Sequence, residues 1–295
     1  MIVFLPVLLS NGKQTSGTAA LIGDVSWGCQ GMYQEGKPTL LTLPLAVINA
    51  STLVSQDEVL AATAALQVQV HRDFAPAWQV DADLAVVVPG GPPPTGAWWI
   101  VIMDNSDLGA ALGYHDLTSQ GLPLGKVFVE SSKKSGQAWT TLLSHEILEM
   151  LSDPFICLTA LAPTAFGTYL YAYENCDACQ SDQFGYLIGD QLVSDFCLPA
   201  WFDANRAGGA GPFDFKQHIK QPFALLPGGY AMCRNLSAGT GWTLVTAPGA
   251  TLTYRDRPRV GSRRERRKIA YPNWLKSNVT VGSDFASAQL MRPRL

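Results

Sequence analysis

Between residues 80 and 130 the chain carries three apolar runs, Val80 to Val88, Trp98 to Met103 (WWIVIM) and Lys126 to Glu130 (KVFVE), each fenced by Gly, Pro, Asn, Asp or Ser. Runs this short, this apolar and this sharply bounded suit strands of a sheet buried on at least one face. Such a sheet needs a cover, and helices are expected before and after it. Ser55 to Arg72 predicts a long amphipathic helix, with Ser55 as N-cap, Asp57 and Glu58 in the first turn, and Val59, Leu60, Leu66, Val68 and Val70 as apolar positions. A second helix is expected over about Ala138 to Leu151. Between the last two strands, Gly109 to His115 (GAALGYH) is weaker and Gly-punctuated, as an edge strand is. The expected architecture is α+β, a mixed sheet with a cover helix and a helix that carries the chemistry.

That second helix contains LLSHEILEML. At about 100° per residue, His145, Glu146, Glu149 and Asp153 fall on one arc, while Leu143, Ile147, Met150 and Leu151 occupy the other side. Carboxylates in the middle of a core helix demand a cation, a basic partner or solvent, because an unpaired buried charge is costly. A metal ion satisfies that demand. His145 and Glu149, spaced i and i+4, can hold one ion together, and Glu146 can act as general base on a metal-bound water. The competing structural reading is a hydrogen-bonded polar face, and for Asp153, which precedes Pro154, an ordering role at the helix end.

The order of helix, strands, weak edge strand, strand and HExxE helix resembles the zincin metallopeptidase fold. The string SHEILEMLSDP is similar to a group of bacterial and phage proteins with HExLExLxDP in that place. The resemblance covers roughly Ser55 to Phe202 and departs from the zincin pattern where Glu149 replaces the second histidine, which lowers the Lewis acidity of a bound metal. It implies a Zn²⁺-dependent peptidase-like hydrolase acting on peptides or peptide crosslinks. In the gluzincin branch the third ligand is a Glu some twenty-odd residues downstream, a place that Glu174 in YAYENCDAC takes here, with Asp177 as second choice. The peptide would lie antiparallel along the edge strand, at Gly113 and Tyr114. Glu174 and Asp177 also lie among turn residues, where they could hold Ca²⁺ or cap a turn.

Past Asp153-Pro154 the texture becomes short strands and turns: Thr168 to Tyr173, a turn at Gly189-Asp190 between Tyr186 to Ile188 and Gln191 to Phe196, a Pro/Gly-rich run from Leu198 to Gly229, and a hairpin at Trp242 to Tyr254 around Pro248-Gly249. The expected division is an N-terminal β/loop extension over 1–54, a metal-site domain over 55–202, and a loop-rich extension over 203–295. Arg255 to Lys268 holds eight of the 21 basic residues, a basic arm on an otherwise acidic chain, so a specific nucleic-acid binder is not expected. Six cysteines are too sparse for a disulfide scaffold, and the single CxxC at Cys176 and Cys179 lacks the second pair a zinc knuckle needs. Met1 to Leu9 reads as a strand, without the basic start of a signal peptide. No stretch reaches the roughly 20 apolar residues of a membrane span, so a soluble protein is expected. Low charge with 27 Gly and 19 Pro also suits a second reading: a non-catalytic zincin-like structural or interaction protein with assembly partners, such as a phage virion component.

Overall fold

Residues 42–108, 111–165, 167–237 and 242–247 are described by the structure, a computed structural model of the chain. It is α+β. A five-stranded sheet has the order β2-β1-β3-β5-β4, built from β1 (Thr42–Asn49), β2 (Asp81–Val86), β3 (Trp98–Met103), β4 (Gly113–Leu117) and β5 (Pro123–Phe128). The first four strands in that order run parallel, and β4 pairs antiparallel with β5 at the edge. Continuous apolar runs make sense here because both faces are buried. Leu45, Val47, Ile100, Ile102 and Val127 pack on one side, and Ile48, Val101, Met103, Leu124 and Phe128 on the other.

Helices α1 (Gln56–Val68) and α4 (Trp139–Ser152) cover the first of these faces, with Val59, Ala62, Leu66, Leu143, Ile147 and Met150 in the same core. Ser55 caps α1 as expected: its hydroxyl accepts from the Glu58 N–H, and the Glu58 carboxylate accepts from the Ser55 N–H. The chain then widens into a π-helical turn (Gln69–Phe74) and a short α2 (Ala75–Trp78). A four-stranded antiparallel sheet, β11-β10-β7-β6, follows from β6 (Thr159–Thr164), β7 (Gly167–Ala172), β10 (Tyr230–Asn235) and β11 (Thr243–Thr246). The hairpin β8 (Tyr186–Ile188) and β9 (Gln191–Val193) turns at Gly189, φ +59°.

Several expectations are corrected. Thr42–Asn49, assigned to an extension, is the strand between β2 and β3. Phe213, Ile219 and Ala231 share a core with Cys179, Trp201 and Phe202, so the boundaries expected after residues 54 and 202 fall where packing is continuous. Val129 and Glu130 leave the strand for α3 (Val129–Ser135), whose Glu and Lys residues favour helix and which ends at Gly136, φ +76°. The edge strand is shifted toward Leu117 because its register on β5 runs from Gly113 opposite Val127 to Leu117 opposite Pro123. Strand β11 pairs with β10. Met1 to Leu9, Cys29, Gly109, Pro248-Gly249 and the arm Arg255 to Lys268 lie outside the described residues. No helix of the described residues is long and apolar enough to cross a membrane.

Candidate metal centre

From Thr140 to Ser152 every residue of α4 is buried, so its polar side chains must find partners inside the protein. Rotation of the helix about its axis is fixed by one of them. The Ser144 hydroxyl donates to Gln69 Oε1 at 2.7 Å and accepts from the Ser194 N–H at 3.1 Å, while Gln69 Nε2 donates to the Ser194 carbonyl at 2.8 Å. That places His145, Glu146 and Glu149 toward β4 and toward the segment following β7.

Strand β4 contributes from its helix-facing side. Side chains alternate along a strand, so Gly113 and His115 face α4 and Tyr114 faces away. At Gly113 a Cβ would meet Glu146 Oε1 at 2.6 Å. The Tyr114 hydroxyl donates to Asp107 at 2.8 Å, and the ring lies under the Lys126 ammonium, which pairs with the same Asp107. Lys126 therefore stands on the opposite face of the sheet from Glu146. The third contributor is the turn after β7, pinned by Cys197 N–H donating to the Asn175 carbonyl at 2.6 Å and by Cys176 N–H donating to Glu149 Oε1 at 3.2 Å. It carries Glu174 and Asp177.

Six buried side chains converge. His145 Nε2 lies 3.2 Å from Glu149 Oε1 and 3.3 Å from Asp177 Oδ1. His115 Nδ1 lies 3.5 Å from Glu149 Oε2 and 3.7 Å from Glu146 Oε2, and its Nε2 lies 3.5 Å from Glu174 Oε2. None of the six is more than 6% exposed. Two sets each offer ligand atoms within 4.8 Å of one another: His145 with Glu149 and Asp177, and His115 with Glu149 and Glu174. The sequence-derived residues His145, Glu146, Glu149, Glu174 and Asp177 thus come together, with Asp177 as the carboxylate beside His145 and Glu174 beside His115. Asp153 stands apart. It is fully buried and accepts from the Cys157 and Leu158 N–H groups, which turns the chain after α4.

Charge is unbalanced in this cluster. Among the described residues, Glu146, Glu149 and Asp177 have no Lys or Arg within ion-pair distance, and Glu146 Oε2, Asp177 Oδ1 and His145 Nδ1 have no hydrogen-bond partner. Burial pushes the Asp177 carboxyl up to about 7, with the Glu149 charge adding to it. Burial opposes ionisation of Glu149 too, but the imidazoles of His145 and His115 outweigh it and hold that carboxyl well below the ordinary range. Burial likewise opposes protonation of His145, yet Glu149, Asp177 and Glu146 raise its pKa well above the usual value. The cluster therefore holds protons more tightly than free side chains do at His145 and Asp177.

The sequence alone does not assign His115 or Tyr230 to the site: a role for His115 requires a long-range meeting of β4 with α4. His115 was legible in principle, since an edge strand beside the helix presents every second residue to it. Tyr230, on β10, hydrogen-bonds to Asp177 through its hydroxyl, whose pKa is raised by burial and then by that carboxylate; no local motif marks it. The thiols Cys176, Cys179 and Cys197 are buried and unpaired by disulfides, and burial pushes each of them up, so they suit packing rather than ligation. No protein-family model, curated protein or solved structure matches the chain.

Proposed function

We propose that the chain is a zincin-like, metal-dependent hydrolase of amide bonds, with Zn²⁺ held by His145, Glu149 and Asp177 and with Glu146 as general base. The observation that carries this reading is the convergence of an imidazole and two carboxylates within 4.8 Å in a buried setting, where three polar atoms of the cluster lack hydrogen-bond partners among the described residues. One nitrogen and two carboxylate oxygens are a donor set that zinc accepts while leaving a coordination position open. A divalent cation held there supplies Lewis acidity toward a peptide carbonyl and toward water.

The remaining work falls to side chains of the chain. Glu146, one position along α4 from His145, accepts a proton from water and returns it to the departing amine. Tyr230 steadies Asp177. Strand β4 ends the sheet, so an extended peptide or peptide crosslink can add alongside it through main-chain hydrogen bonds, with Gly113 keeping the backbone close to Glu146. The test is metal content together with turnover on a mixed peptide substrate. Glu146→Gln should lower turnover by about 10²- to 10⁴-fold with metal retained, and His145→Ala should lose the metal. A native protein that purifies without metal and takes up none, or a Glu146→Gln variant with full turnover, overturns the proposal.

A further inference from the structure

Glu149 turns its two carboxylate oxygens to two different imidazoles: Oε1 to His145 at 3.2 Å and Oε2 to His115 at 3.5 Å. Each imidazole has a further carboxylate at its side, Asp177 for His145 and Glu174 for His115. The two ligand sets therefore share one residue and nothing else. A single ion among His145, Glu149 and Asp177 leaves His115 and Glu174, both at least nine-tenths buried, without a role in binding it.

Formal charge points the same way. Glu146, Glu149, Glu174 and Asp177 bring four negative charges when ionised, and the two imidazoles are neutral when they act as ligands. One divalent cation matches two of those four formal charges, and a second matches the other two.

We infer that the site is dinuclear, with a second divalent cation held by His115 and Glu174 and with Glu149 bridging the two ions through its separate oxygens. This rests on the reading of the α4 cluster as a metal centre. Two ions on one bridging carboxylate lie roughly 3.5 to 4 Å apart, a separation at which their electron spins couple.

The test strips the full-length protein with a chelator, reloads it with Mn²⁺ alone, removes excess ion by desalting, and reads metal per chain and the electron paramagnetic resonance spectrum. The wild type should hold about two Mn²⁺ per chain with the spectrum of a coupled pair. His115→Ala should hold about one, with the spectrum of isolated Mn²⁺. Asp214→Asn alters only the separate Asp195, Asp214 and His218 cluster and should keep both ions and their coupling. About one Mn²⁺ in the wild type overturns the second site and leaves the hydrolase reading standing. No bound Mn²⁺ overturns both. A second ion lost in Asp214→Asn, but kept in His115→Ala, assigns it to the other cluster and overturns the inference. The wild-type count decides even where a variant folds poorly.

Discussion

Gly113 lacks a side chain where Glu146 needs room. A Cβ there would sit 2.6 Å from Glu146 Oε1 and 3.0 Å from both Glu146 Cγ and the Lys126 carbonyl. Gly113→Ala must therefore move the carboxylate that is assigned the proton transfer. Displacing a reacting group by an ångström is enough to lower turnover by about 10- to 100-fold. The strand itself keeps its register, so the melting temperature should move by no more than about 5 °C. Steady-state kinetics and thermal unfolding on one preparation check this. Unchanged turnover would mean that Glu146 is not the base.

At the scale of elements, α4 is held in rotation by Ser144, Gln69 and Ser194, a buried group that joins it to the π-helical turn and to the residue after β9. Ser144→Ala leaves the Gln69 amide oxygen and the Ser194 N–H without that partner, and an orphaned buried polar group costs about 1 to 3 kcal/mol. Denaturant unfolding should show that loss, and a neutral result would place the anchoring of α4 elsewhere. Helix α4 was legible because its polar and apolar residues separate at helical spacing, and β3 because WWIVIM is continuously apolar. Strand β1 was not, since TLPLAVIN contains a proline and takes its place only by pairing with β2 and β3, which come later in the chain. The helix half of the candidate site is likewise local. Its other half depends on which strand lies beside α4 and on where the turn after β7 is tied down, as the pairings of Glu174 with His115 and of Asp177 with His145 illustrate.

Across the whole molecule, buried acids give the metal-free protein a definite response to pH. Burial and the neighbouring Asp214 raise Asp195 to about 9, and Asp177 is raised to about 7; His218 stands 3.4 Å from Asp195. A carboxyl whose pKa is higher folded than unfolded binds more protons in the folded state, so stability falls as pH rises between the two values. His145, raised above its unfolded value, adds stability that is also lost as pH rises through its folded pKa. The lowered Glu149 contributes in full above its unfolded pKa and loses its effect only in acid. Metal-free stability should thus decline from about pH 5 to about pH 9. Asp195→Asn should flatten the upper part of that decline, and added divalent cation should stabilise more at the alkaline end, where it replaces protons on the ligands. Stability that rises across this window would contradict the assignment of the buried acids. The central claim, a nitrogen-and-oxygen metal centre on α4, is tested most directly by X-ray absorption at the zinc edge of the purified, zinc-loaded protein. The account predicts a first shell of nitrogen and oxygen at about 2.0 to 2.2 Å; sulfur at about 2.3 Å, or no bound zinc, would contradict it.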